Sequence, residues 1–108
     1  MQQWDLRTLD VRAHQPEVLQ SHGEGRTILL LLPEGERQQE HQVHERSWLL
    51  VVDGEIEIDR DGEVVEGGPG LLAVFEPNES REVRARSDAR LLMVLAPWPG
   101  EGHPSQRG

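Results

Sequence analysis

The sequence contains no cysteine among its 108 residues, so disulfide bonds are impossible. A chain of this length forms one domain that buries roughly 65% of its unfolded surface, and it needs no such bonds. The absence of cysteine fits a reducing compartment. Long apolar runs are also missing, because the longest, residues 28–32, is far shorter than the roughly 20 residues of a transmembrane helix. Since residues 1–5 carry no basic, apolar leader, we expect a cytoplasmic protein.

A helical apolar period of 3.6 residues is absent too, and strand patterns take its place. Apolar or alternating segments at 26–32, 47–52, 55–59, 63–66, 71–75, 81–86 and 89–96 are separated by Gly, Pro and Asp-Gly turns. Asp61-Gly62 is typical of a type I′ hairpin. The pattern predicts an all-β, antiparallel sandwich or barrel.

We expect a single domain over residues 1–108, with a barrel core at about 26–96. Residues 1–25 should supply N-terminal edge strands at 8–11 and 17–21, with a turn at 23–25. Residues 97–108, which contain three of the seven prolines, should form an extended tail.

The net charge of the chain argues against some classes of binding partner. The net charge of −9 comes from 20 acidic and 11 basic residues, and a field of that sign repels phosphate backbones and anionic lipids. We therefore expect no nucleic acid and no membrane partner, and we interpret the acidity as a contribution to solubility.

A first motif lies between two glycines. Gly35 is followed by His41 and the motif closes at Gly54, while Val43 and Ser47 occupy the positions between them. This arrangement resembles the first signature of the cupin superfamily, a Gly followed by His-x-His, Glu and a closing Gly. In that signature Val43 stands at the second His and Ser47 at the Glu.

A second motif follows the same resemblance. Gly70 opens it, Glu76 stands at the family's Pro, Asn78 at its second Gly and Arg81 at its His. Asn tolerates the left-handed turn conformation that Gly adopts there. The resemblance covers about residues 28–96. It implies a small cupin, type-2-like and RmlC-like, with an antiparallel β-barrel (a double-stranded β-helix, jelly-roll-like) and a homodimeric state.

The resemblance also implies a metal site, but this sequence has other residues at most of the ligand positions. Of four usual ligand positions only His41 keeps a ligand, and one imidazole cannot hold a divalent ion tightly. We expect no tightly bound metal and no cofactor. A small anionic or polar molecule should bind inside the barrel. The pocket would be lined by His41, Glu45, Ser47, Arg81, Val43 and Leu49, together with Val51, Leu72 and Val74.

Arg81 is the most informative replacement. Alternation along 81–86 places Arg81 on the inward face with Val83 and Ala85. A buried guanidinium requires an anionic partner. That partner is either an internal carboxylate, Glu45 or Glu76, or the carboxylate or phosphate of a ligand.

Two other interpretations remain open. The chain would be a metal-dependent enzyme of dioxygenase or isomerase type if His41, His44 and Glu45 bound a divalent metal ion. A regular strand places His41, Val43, Glu45 and Ser47 on one face, so a bulge would be needed to turn His44 inward. The chain would be an interaction module if side chains filled the interior. In every case we expect a homodimer that covers the edges at 8–11 and 17–21, with Trp4 or Trp98 at the interface.

Overall fold

The structure is a computed structural model that describes residues 1–22, 25–40 and 44–96. Within these ranges the chain forms nine strands and no helix. It follows that no described helix is long and apolar enough to cross a membrane. The strands are β1 Glu17–His22, β2 Gly25–Leu32, β3 Arg37–Glu40, β4 Arg46–Asp53, β5 Ile56–Arg60, β6 Glu63–Gly67, β7 Leu72–Phe75, β8 Arg81–Ala85 and β9 Ala89–Ala96.

The strands form two antiparallel sheets. One has five strands in the order β1-β2-β9-β4-β7, and the other has four in the order β3-β8-β5-β6. The predicted all-β antiparallel fold is confirmed. It is a jelly-roll-like sandwich rather than a closed barrel, because β7 and β6 are edge strands of separate sheets.

The core lies between the sheets and follows the alternation of each strand. In β9 every second residue from Ala89 to Leu95 is buried, and in β5 the buried positions are Ile56 and Ile58. The inward faces of both sheets join in one apolar cluster, which includes Leu30, Leu49, Leu91, Phe75 and Val83. Burial of such side chains contributes about 1.5–3 kcal/mol each, so alternation determines which face of each strand is internal.

Turn residues occupy the backbone conformations that their types favour. Asp61 and Gly62 have φ of 53° and 86°, which fits the predicted type I′ hairpin between β5 and β6. Asn78 has φ of 68°, in the left-handed conformation expected where the second motif carries Gly. Gly54 has φ of 85° directly after β4. The turns of the two motifs are thus retained.

The N-terminal segment differs from the prediction. The strand expected at 8–11 is wrong, because no strand is formed there and residues 6–8 make a turn. Carbonyl oxygens of Leu6 and Leu9 accept hydrogen bonds from Arg90 Nη1 at 3.0 and 2.7 Å, so they do not need a sheet partner. Val11 is buried, and Ala13 makes an isolated bridge to Leu31.

The strand predicted at 17–21 is confirmed as β1, an edge of the five-stranded sheet. The polar strand β3 was not predicted, because its sequence Arg-Gln-Gln-Glu has no apolar pattern. The turn around residues 23–24 and the tail 97–108 with Trp98 lie outside the described residues.

Candidate functional site

Arg81 is buried at one end of the sandwich. It begins β8, and only 4% of its surface is exposed. Val83 and Ala85 are buried on the same face of the strand, while Arg84 is exposed on the other. Alternation therefore directs the guanidinium of Arg81 toward the five-stranded sheet and away from solvent.

Two residues of the opposite sheet meet that guanidinium. Ser47 near the start of β4 and Phe75 at the end of β7 are directly paired across the strands. Nη2 of Arg81 donates to Oγ of Ser47 at 3.4 Å, and Cζ of Arg81 lies 4.5 Å from the centroid of the Phe75 ring. The ring face attracts the cation and fixes the plane of the guanidinium. The arrangement is a preorganised cationic group inside the protein.

The surroundings of Ser47 are otherwise apolar. Leu95 is its other cross-strand neighbour, and Leu49 is the next inward residue on β4. The exposed fractions of Ser47, Leu49 and Leu95 are 1%, 1% and 5%. A charge in such surroundings interacts more strongly than in water, because the local dielectric constant is low.

Glu45 and Glu76 each make an ion pair with an arginine. Glu45 Oε2 lies 3.4 Å from Nη2 of Arg26, and Glu76 Oε1 lies 2.9 Å from Nη2 of Arg46. These are the two carboxylates that the sequence proposed as internal partners of Arg81. Both ion pairs are partly exposed.

The predicted alternation of residues 41, 43, 45 and 47 requires one regular strand, and residues 44 and 45 are not part of a strand. β3 ends at Glu40 in the four-stranded sheet, and β4 begins at Arg46 in the five-stranded sheet. Because the chain changes sheets between them, alternation cannot be carried across this segment. Glu45 lies in a bend, and His44 is exposed. His41 and Val43 lie outside the described residues.

The donors that the structure describes do not form a metal site. Among residues 1–22, 25–40 and 44–96, no three His, Cys, Asp or Glu side chains come together. At two of the family's ligand positions the side chains are the hydroxyl of Ser47 and the cation of Arg81. A weak neutral donor and a positive charge do not fit a divalent cation.

Two predicted pocket residues face outward instead. Leu72 and Val74 are 57% and 46% exposed, while Ala73 and Phe75 are directed to the core. The prediction that Leu72 and Val74 line the interior is therefore wrong. The register differs by one residue, which reverses every side chain of a strand.

A groove of about 380 Å³ lies between the edge strands β7 and β6, and it was not predicted from the sequence. Ile58 and Phe75 contribute to its apolar lining, and Arg60 stands among its charged residues. Nη1 of Arg60 lies 2.9 Å from Glu79 Oε2. The hydrogen bonds of Arg60 to Glu79 and then to Glu63 raise its pKa above the ordinary value. The groove is formed by the open edge between the two sheets, so no local sequence motif predicts it.

Comparison with known proteins places this geometry in a class, that of small double-stranded β-helix domains. The sequence profile of the cupin domain matches residues 28–96. The chain therefore belongs to the cupin family. No curated protein matches the chain.

Solved structures agree with the fold. An RmlC-like cupin protein from Desulfovibrio desulfuricans is 22% identical, with 90% of this chain and 97% of that chain covered and a TM-score of 0.78. A cupin superfamily protein from Desulfitobacterium hafniense is 15% identical, with coverage of 86% and 87% and a TM-score of 0.77. A cupin-2 domain protein from Shewanella frigidimarina is 11% identical, with coverage of 83% and 87% and a TM-score of 0.71. At these identities the likeness concerns the fold alone.

Proposed function

We propose that this cupin domain binds a small carboxylate through Arg81 and does so without a tightly bound metal ion. The observation that supports the proposal is the position of Arg81. The residue is 4% exposed, and in the motif resemblance it stands at the position of a ligand histidine. A fork of N–H donors there replaces the metal as the group that holds an anion.

Electrostatics favours an anion over a divalent cation at this position. A unit charge about 4 Å from the guanidinium interacts with it by about 4 kcal/mol at an intermediate dielectric constant. For a cation this energy is repulsive and lowers affinity roughly a thousandfold per unit charge. For a carboxylate the same energy is attractive.

The neighbours of Arg81 suggest what kind of anion it takes. Phe75 lies against the guanidinium, and Leu49 and Leu95 are buried neighbours of Ser47 along and across the strands. The net charge of −9 opposes the approach of multiply charged anions. A monocarboxylate with a small branched or flat apolar body fits both conditions.

The test uses isobutyrate as the probe and isothermal titration calorimetry as the measurement. Arg81→Met should lower the affinity about 10- to 100-fold, because a charge-assisted hydrogen bond is lost. Arg84→Met is the matched control, since Arg84 is exposed on the opposite face of the same strand, and it should leave the affinity unchanged. Equal affinities of the wild type and Arg81→Met would contradict the proposal, and would direct attention to the groove between β6 and β7.

The metal-dependent alternative gives a different result. Elemental analysis of protein purified without a chelating resin should find no stoichiometric iron, manganese or zinc. A near-stoichiometric metal that disappears in His41→Ala would instead support an enzyme with His41, His44 and Glu45 as ligands.

A further inference from the structure

The groove between β6 and β7 has mostly apolar walls. Seven of the ten described residues that line it are apolar, and Ile58, Val65 and Phe75 are among them. Its volume of about 380 Å³ and its few polar groups are typical of a site for a small molecule. Val65 and Leu72 are 43% and 57% exposed, and apolar side chains left open in a group often mark a binding site.

Three charged side chains stand at one end of the groove. Arg60 ends β5, Glu63 begins β6 and Glu79 follows β7. Nη1 of Arg60 lies 2.9 Å from Oε2 of Glu79, and its Nη2 lies 3.3 Å from Oε1 of Glu63. The other end is apolar, because Leu71 packs beside Gly67, where β6 ends. Since a strand rises roughly 3.3 Å per residue, the charged and apolar ends are about 13 Å apart.

The charged end is better suited to a cation than to an anion. Two carboxylates and one guanidinium give it a net charge of −1. Both terminal nitrogens of Arg60 already contact a carboxylate, so an anion would have to displace one of them. The side chain of Glu63 is 69% exposed, and an ionised carboxylate accepts several hydrogen bonds, so Glu63 can accept another from a ligand.

The second carboxylate is fixed in position. Oε1 of Glu79 accepts a hydrogen bond of 2.9 Å from the backbone N–H of Glu76, and its Oε2 faces Arg60. The side chain of Glu79 is only 21% exposed, so it is less hydrated than Glu63. The chain as a whole has a net charge of −9, and a field of that sign attracts cations.

We infer that this groove binds an amphipathic monocation, a primary ammonium group on a short apolar body. The ammonium group lies against Glu63 and Glu79, and the apolar body lies along Val65 and Phe75 toward Leu71. Hydrophobic burial of the body supplies most of the affinity, and the carboxylates select the charge of the head.

The inference goes beyond the proposed carboxylate site and does not depend on it. The groove takes a ligand of the opposite charge and holds it through Glu63 and Val65, which are on β6 and not beside Arg81. Phe75 borders both sites, because its ring contacts the guanidinium of Arg81 and also lines the groove. The charge of the ligand and the responding residues therefore distinguish the two sites.

An NMR titration of isotope-labelled protein with 2-phenylethylamine tests the inference. At about pH 7 this amine is protonated, as a lysine side chain is. It should shift backbone amide signals of β6 and β7, with a dissociation constant in roughly the millimolar range expected for so small a ligand. The neutral 2-phenylethanol should bind about 3- to 10-fold more weakly, since an exposed ion pair contributes modestly, and 3-phenylpropionate more weakly still.

Matched variants on β6 separate the groove from the rest of the surface. Glu63→Gln should weaken binding of the amine about 3- to 10-fold. Glu66→Gln changes the net charge equally, but Glu66 pairs with Arg86, and this variant should leave the affinity unchanged. Val65→Trp should fill the groove and weaken binding at least about 10-fold, whereas Val64→Trp, on the opposite face of the strand, should not.

Several outcomes would overturn the inference. They are a 3-phenylpropionate that binds the groove more tightly than the amine, equal effects of Glu63→Gln and Glu66→Gln, and shifts confined to the Ser47 and Arg81 end. Failure of all three probes to bind would also overturn it. Binding that is lost as the protein concentration rises from about 0.02 to 1 mM would show that a second copy occupies the groove instead. The same spectra report whether Val65→Trp is folded, and the exposed Glu63→Gln variant tests the inference if it is not.

Discussion

Gly54 closes the first motif. Its replacement tests whether the close approach of this turn to β9 contributes to the free energy of unfolding. The residue has φ of +85° directly after β4. A Cβ added there would lie 2.7 Å from Cα of Ala89 and 2.9 Å from the carbonyl carbon of Asp88. These are backbone atoms at the start of β9, the central strand of the five-stranded sheet, so they cannot move without shifting that sheet.

Gly54→Ala should therefore lower the free energy of unfolding by two effects. The left-handed conformation costs an alanine about 1–2 kcal/mol. Overlap with the backbone adds about 1–3 kcal/mol, as overpacking does in cores. We expect a total loss of about 2–5 kcal/mol from the two effects, measured by urea denaturation followed by circular dichroism.

Gly62→Ala separates the two effects. Gly62 has nearly the same φ, +86°, and a Cβ there would meet nothing within 4 Å. Only the conformational cost of about 1–2 kcal/mol should appear. The difference between the two variants should be about 2 kcal/mol. Losses that agree within about 0.5 kcal/mol would refute the claim that Gly54 is required for close approach to β9.

Three further predictions concern the core, the second motif and pH. Leu91→Ala, at a fully buried position, should lower the free energy of unfolding by about 2–5 kcal/mol in urea, whereas a loss below 1 kcal/mol would contradict its place in the core. Asn78→Val, at φ of 68°, should lower the thermal midpoint while Asn78→Gly should not, and equal midpoints would contradict the left-handed turn. The raised pKa of Arg60 means that its stabilisation is fully present below the pKa of the unfolded chain and is lost only as pH rises through the higher folded pKa. The free energies of unfolding of the wild type and Arg60→Gln should therefore differ by a constant amount between about pH 6 and 9. A difference that changes with pH in this range would contradict a raised pKa of Arg60.

Most of the strands could be predicted because local patterns of alternating apolar residues and turn residues determine them. The alternation at Ile56 and Ile58 predicts β5. The turn residues Asp61-Gly62 predict the hairpin that connects β5 to β6. The polar strand β3 carries no such signal, since its four residues are held by pairing with β8 and not by an apolar face. Its existence depends on tertiary structure alone.

The direction of a side chain at the candidate site could be predicted only where the alternation lies within a single strand. Alternation within β8 is enough to direct Arg81 inward. It cannot be carried from β3 to β4, because these two strands lie in different sheets. It also failed in β7, where the small Ala73 gives a weaker apolar signal than the outward Leu72 and Val74.

The proposed role of Arg81 is to hold an anion at the position where the motif resemblance implies a metal ligand. The most direct measurement is a crystal structure of the protein, purified without a chelating resin, soaked in isobutyrate and recorded with anomalous data at the iron, manganese and zinc edges. The account predicts a carboxylate within hydrogen-bonding distance of Arg81 and the Ser47 hydroxyl, and no anomalous peak beside them. A metal ion coordinated at that end of the sandwich, or isobutyrate bound only in the groove between β6 and β7, would contradict it.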